Sequence, residues 1–216
     1  MLLKERRERA IMLGDFLSVI RAQQHAYSVE VDGLSLTSAF QPIFSFSGDA
    51  PVGYEALVRA SDAGGASIAP TVLFERLKAE AELIYMDRVC RMLHLANYQI
   101  EGDDVSGWLF LNVSPSTAVN GHRYGPFFAD MLEHFGVAGY RIVVELAETE
   151  REDLELLAQS VEYYRSIGCL IALEDFGAGH SNFERVCAVK PDIVKLDRSM
   201  IKRAEADARA RRMMSG

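Results

Sequence analysis

Long apolar runs are missing from this chain. Nothing in its 216 residues approaches the ~20 consecutive apolar residues of a membrane-spanning helix, so no membrane span is expected. Met1–Ala10 is charged, and the apolar run after it, Ile11–Ile20, is broken by Gly14 and Asp15, which argues against a signal peptide. Cysteine is scarce: Cys90, Cys169 and Cys187 are odd in number and far apart. They fit neither a disulfide framework nor a zinc knot, and the expected compartment is a reducing cytoplasm. An excess of basic charge is lacking as well. The 23 Lys and Arg face 31 Asp and Glu, a net charge of −8, which argues against binding a nucleic-acid polymer. There is no repeat at a fixed period and no low-complexity tract.

What remains is an ordinary globular composition, 49% hydrophobic and 25% charged. The length fits one domain with a small appendage. Residues 1–37 read as that appendage. Ile11, Leu13, Phe16, Leu17 and Ile20 are spaced for one face of a helix over Glu5–Arg21. Tyr27–Leu36 is short and turn-like, with Asp32-Gly33 as its turn, and reads as a connector. The domain proper is expected over residues 38–216. Ala39–Phe46 and Val52–Arg59 read as strands around the turn Ser47–Pro51, hence a hairpin. A helix begins at Pro70, and a second covers Leu83–Tyr98 with apolar residues at Ile84, Met86, Val89, Met92 and Leu93. Strands are then expected at Trp108–Val113, Arg141–Leu146, Cys169–Asp175 and Asp192–Leu196. Helices alternate with them at Pro126–Phe135, Arg151–Ile167, Asn182–Ala188 and Arg198–Met214. Apolar strands separated by amphipathic helices imply parallel βαβ units.

Nearly every strand ends in a carboxylate, an amide or a base: Gln41; Glu55 and Arg59; Asn112; Glu145; Glu174-Asp175; Lys195 and Asp197. In a parallel α/β barrel these ends form one rim, where active sites lie. A single acid at a strand end is usually just solvated. Several converging on one rim make an oxygen-rich pocket suited to a hard divalent cation, Mg²⁺ or Mn²⁺ rather than zinc, and no His or Cys pair has zinc-ligand spacing. Two such metals bridged by a carboxylate serve phosphodiester hydrolysis. The loop Phe176-Gly177-Ala178-Gly179-His180-Ser181 matches neither common phosphate-binding pattern. It reads equally well as an active-site loop or a tight turn.

Six segments, taken together, resemble the EAL domain family. They are Gln41-Pro42-Ile43, Tyr54-Glu55-Ala56-Leu57-Val58-Arg59, Leu111-Asn112-Val113-Ser114-Pro115, Glu145-Leu146-Ala147-Glu148, Glu174-Asp175-Phe176-Gly177-Ala178-Gly179 and Val194-Lys195-Leu196-Asp197, in family order. That family contains bacterial phosphodiesterases that open cyclic di-GMP to the linear dinucleotide pGpG. The resemblance implies a TIM-like (β/α) barrel whose first strand is antiparallel, in agreement with the hairpin. It implies Glu55, Asn112, Glu145, Glu174 and Asp175 as ligands of Mg²⁺ or Mn²⁺. Glu55 and Lys195 would be catalytic, with Lys195 holding the attacking water, and Gln41 and Arg59 would contact cyclic di-GMP.

The chain departs from the family pattern in three places. Glu174 stands where the family has aspartate. One extra methylene moves a carboxylate by roughly 1.5 Å, and a shift of about 1 Å at a catalytic centre can cost ~100-fold in rate. Ala60-Ser61-Asp62-Ala63-Gly64-Gly65 replaces a segment in which the family carries a tryptophan and a His-Pro pair. After Lys195 the residues do not extend through the family's last two strands. The expectation is therefore about six of the eight strands of such a barrel and weak or absent turnover by this chain alone. The alternative is a degenerate module acting as a cyclic di-GMP receptor or protein-interaction regulator. A regulatory partner or a homodimer would then complete it.

Overall fold

The computed structural model describes residues 17, 19–22, 26–46, 48–101, 107–114, 127–146, 153–176, 183–209 and 212. Most of the expected N-terminal helix falls outside these residues, as do Glu148, the loop 177–182 and the side chain of Asp175. The strands are β1 (Ile20–Ala22), β2 (Tyr27–Val31), β3 (Leu34–Phe44), β4 (Pro51–Ser61), β5 (Ser67–Ile68), β6 (Trp108–Val113), β7 (Ile142–Leu146), β8 (Leu170–Phe176) and β9 (Ile193–Leu196). The helices are α1 (Pro70–Glu75), α2 (Glu80–Glu101), α3 (Phe127–His134), α4 (Leu154–Ser166), α5 (Phe183–Val189) and α6 (Arg198–Ala206). One sheet holds all the strands in the order β1-β2-β3-β4-β6-β7-β8-β9, with β5 on the end of β4. β1 to β4 pair antiparallel, and β4, β6, β7, β8 and β9 pair parallel.

The sheet curls into a barrel wall. Three strands separate β4 from β9, so at ~4.8 Å per strand a flat sheet would hold them about 19 Å apart. Yet Lys195 Nζ on β9 lies 2.8 Å from Glu55 Oε2 on β4. The free edge of β9 pairs with no strand among the described residues.

Strand parity decides what faces inward, because residues two apart share a face. Phe110, Val143 and Ala172 are fully buried in a small inner cluster, with Ile43, Trp108, Leu170 and Ile193 against it. Two residues further along the parallel strands come Asn112, Glu145, Glu174 and Lys195. The barrel interior is thus an apolar floor under a polar layer. Gly53 precedes Glu55 in the same way, and a Cβ there would run into the Trp108 carbonyl and the Phe110 ring. The opposite faces of the same strands, with Leu109, Leu111, Val144, Leu146 and Ile171, form the larger core with the helices.

Two expectations change. Ile20 and Arg21, read as the end of a helix, belong instead to the strand β1 (Ile20–Ala22), paired with Tyr27–Val29. Tyr27–Leu36, read as a connector, is the β2–β3 hairpin, and β3 runs unbroken across residue 37. Its turn is Asp32-Gly33, both at positive φ (51° and 76°), the geometry of a two-residue hairpin turn. Val29, Val31 and Leu36 are buried in the main core.

The helix expected over Leu83–Tyr98 is α2, and it is buried on all sides from Met86 to Tyr98. Its polar residues Asp87, Arg88, Arg91, His94 and Asn97 are therefore inside as well. Asn97 holds the β2 hairpin: its Oδ1 accepts from Tyr27 N–H (2.7 Å), and its Nδ2 donates to the Tyr27 carbonyl (3.1 Å) and Ser38 Oγ (3.2 Å). The Ser38 hydroxyl lies 2.7 Å from His94 Nδ1. Burial, and secondarily the charge of Arg59, pushes the His94 imidazole down to about 3. Among the described residues, no helix is long and apolar enough to cross a membrane.

Candidate metal centre

At the C-terminal ends of the parallel strands, the carboxylates of Glu55, Glu145 and Glu174 each present an oxygen within 4.8 Å of the others. Lys195 Nζ sits among them, 2.8 Å from Glu55 Oε2, 2.5 Å from Glu145 Oε1 and 3.0 Å from Glu174 Oε1. Asn112 joins the group by donating from Nδ2 to Glu55 Oε1 at 3.0 Å. Register explains the convergence. Asn112 stands level with Glu145 on the neighbouring strand, and Gln41 stands directly opposite Glu55.

The charges do not balance. Three carboxylates share one ammonium, which leaves two negative charges over when all are ionised. Glu145 is fully buried, and its Oε2 has no hydrogen-bond partner among the described residues. Burial pushes its carboxyl up to about 9, Lys195 opposing and the other two acids adding to the rise. Burial pulls the Lys195 ammonium down, but the charges of Glu145 and Glu174, together with the hydrogen bonds it donates to Glu145 and Glu55, outweigh it and hold it above the ordinary lysine range. A buried carboxylate oxygen without a donor, beside two further carboxylates and an amide, fits a hard divalent cation. Such an ion would neutralise the excess that Lys195 leaves. The residues present fit the group, with Glu55, Asn112, Glu145 and Glu174 as the donors.

The remaining expected residues lie further out. Gln41 is exposed at the rim. Arg59 shares the face of Glu55 but sits four residues, about 13 Å, along the strand. It is exposed, and its Nη1 donates to the Val58 carbonyl at 3.1 Å. Asp175 lies in β8, its side chain outside the described residues. Asp197 takes a different part: it caps α6 by accepting from Ser199 N–H at 2.8 Å.

A cavity of about 480 Å³ opens beside the cluster, lined by Glu55, Asn112 and Glu174 together with Phe74, Cys90 and His94. Asp87 lies on its wall. This aspartate went unnoticed in the sequence, where it fell on the helix face opposite the apolar residues. Its signal is the (i, i+4) spacing to Arg91, since an acid four residues before an arginine on a buried helix forms an internal pair.

A curled α/β sheet with an acidic, lysine-bearing cluster at its strand ends defines the class of α/β-barrel domains that carry their site on that rim. The model of the EAL domain matches residues 22–216, and the chain belongs to that family. YkuI, an EAL-domain containing protein of Bacillus subtilis (strain 168), is 29% identical over 76% of this chain and 40% of that protein. PdeB of Escherichia coli (strain K12), named a probable cyclic di-GMP phosphodiesterase, is 25% identical over 84% of this chain and 35% of that protein. The chain thus spans well under half the length of both relatives. Among solved structures, a standalone versatile EAL protein from Vibrio cholerae O395, bound to c-di-GMP, superposes with a TM-score of 0.70 at 27% identity. It covers 86% of this chain and 75% of its own. The YkuI structure, in complex with c-di-GMP and calcium, gives a TM-score of 0.63 at 28% identity over 77% of this chain and 42% of that one.

Proposed function

We propose that this chain handles cyclic di-GMP at the strand-end cluster and belongs to a metal-dependent phosphodiesterase in which Mg²⁺ or Mn²⁺ is held by Glu55, Asn112, Glu145 and Glu174, with Asp175 beside them. The carrying observation is the cluster itself: three carboxylates within 4.8 Å and a single lysine among them. Relatives named for cyclic di-GMP, and a neighbour solved with that dinucleotide and calcium, support the ligand and the need for a divalent cation. A reducing cytoplasm suits the three free cysteines.

The reaction is hydrolysis. Water adds to one phosphorus, the P–O3′ bond breaks, and the ring opens to a linear dinucleotide with one phosphomonoester and one new hydroxyl. A bound divalent cation supplies Lewis-acid polarisation of the phosphate. Glu55, fixed by the Asn112 amide and by Lys195, keeps one orientation toward the substrate. Lys195, with three ammonium hydrogens, holds the attacking water. Arg59 offers a two-pronged donor for the phosphate or base edge, and Gln41 faces the same opening.

A second reading, binding without turnover, is favoured by Glu174, whose longer side chain is drawn onto Lys195 at 3.0 Å. One experiment separates the two. The full chain is titrated with cyclic di-GMP by calorimetry in Mn²⁺, and the same mixture is assayed for pGpG. Binding with pGpG supports the phosphodiesterase; binding alone supports a receptor. Absence of both in wild type and in Glu174→Asp overturns the dinucleotide assignment.

A further inference from the structure

We propose that Asp87, on α2 and outside the sequence motifs, is a positioning residue for Asn112 and through it for the metal cluster. The inference rests on the reading of that cluster as a divalent-cation site. Asp87 is 5% exposed. Its Oδ1 accepts the backbone N–H of Ser114 at 2.8 Å. Ser114 is the first residue after β6, and Asn112 lies two residues before it, its Nδ2 3.0 Å from Glu55 Oε1. Asp87 therefore pins the strand at the point where it leaves the sheet.

The aspartate is itself held. Its Oδ2 lies 2.6 Å from Arg91 Nη2, one turn further along α2, with both side chains almost fully buried. Arg91 Nη1 donates to the Tyr164 hydroxyl on α4 at 3.4 Å, and its guanidinium lies 5.1 Å from the centre of the Phe128 ring on α3. A carboxylate fixed by a guanidinium wedged between two helices makes a rigid acceptor. The acceptor meets a backbone donor at the strand exit, so the dihedrals of residues 112–114, and the direction of the Asn112 amide, follow from it. Asp87 also forms part of the cavity wall that reaches Asn112, Glu55 and Glu174. Outer residues that orient metal ligands typically carry 10–100-fold in metal affinity.

The test is Mn²⁺ affinity of the full chain by calorimetry, at a temperature where each variant is folded by circular dichroism. Asp87→Ala weakens Mn²⁺ binding by about tenfold or more, and the Ser114 amide exchanges its hydrogen faster. Asp87→Asn keeps an acceptor oxygen and restores affinity to about a third of wild type or better. Arg91→Lys lowers stability but leaves the bond to Ser114, so its Mn²⁺ affinity stays near wild type. A merely structural role for Asp87 would make Asp87→Ala and Arg91→Lys lose affinity alike, and that result overturns the proposal. Unchanged affinity in Asp87→Ala overturns it too. Should Asp87→Ala not fold, Ser114→Pro removes the donor without touching α2 and must give the same loss; unchanged affinity there overturns it equally. A wild-type chain that takes up no Mn²⁺ overturns the site reading itself. Binding in wild type that Glu145→Gln abolishes and Asp87→Ala leaves alone overturns the positioning role only.

Discussion

At the strand ends three carboxylates share one ammonium; on α2 one carboxylate shares one guanidinium. Both groups are buried or half-buried, and both lie within one domain. On α2 the Asp87–Arg91 pair matches its charges inside the protein and meets a backbone N–H, a tyrosine hydroxyl and an aromatic ring, although Arg91 Nε has no acceptor among the described residues. At the rim the Glu145 carboxylate is wholly inside, yet one of its oxygens has no donor among the described residues. Burying a charge without full compensation is costly. One set of buried charges is matched within the protein and the other is not, and that difference supports the cation site proposed for the second set.

The comparison breaks most visibly where one ionisable group is removed from each site. Arg91→Met leaves Asp87 buried without its counterion and lowers stability by about 3–5 kcal/mol, read as the shift in the urea midpoint. Glu145→Gln replaces a carboxyl whose ionisation burial opposes, so the metal-free protein unfolds no earlier than wild type. Equal losses in the two variants would mean that both clusters are structural.

Adding the metal gives the next contrast. Mn²⁺ at 100 times its dissociation constant stabilises wild type by about 2.7 kcal/mol. For a chain of this length that raises Tm by roughly 5–11 °C. Glu145→Gln abolishes most of this shift, while Arg91→Met, already less stable, keeps it. Mn²⁺ stabilisation that survives Glu145→Gln would move the ion elsewhere.

How far these features could be read in the sequence depends on where each residue finds its partner. The inward layer was legible because Glu55, Asn112, Glu145, Glu174 and Lys195 each interrupt an apolar strand near its end. Strand parity then aims them at one point. β6 was read to the residue, since Trp108–Val113 is bounded by Gly107 and Ser114-Pro115. The β2 strand was not, although Tyr27-Ser28-Val29-Glu30-Val31 alternates apolar and polar residues: its five residues are few, and they were read together with their turn as a connector. Asp32-Gly33 was recognised as a turn, but its flanking strands were not. Asp87 escaped because its partner is the backbone N–H of Ser114, and every residue type but proline carries that group. Nothing local in the sequence of α2 shows that β2, α3 and α4 cover its polar residues.

His94 offers the smallest and most selective test. It belongs to the balanced set: neutral, buried, and hydrogen-bonded to Ser38. Its folded value of about 3 lies below the ordinary 6.5 of an unfolded chain. The unfolded state therefore takes up a proton first, so stability is full above pH 6.5 and falls as the pH drops below it. Between pH 6.5 and 5 this single group removes about 2 kcal/mol, a slope that His94→Asn abolishes in urea titrations across that range. At the rim, Glu145 acts in the opposite sense without metal. Glu145, held above its ordinary value, keeps its proton in the folded state and costs stability as the pH rises from 4.5 toward 9. Opposite slopes from two buried groups in one domain, each erased by its own substitution, would separate the part of the interior that is complete from the part that awaits a cation.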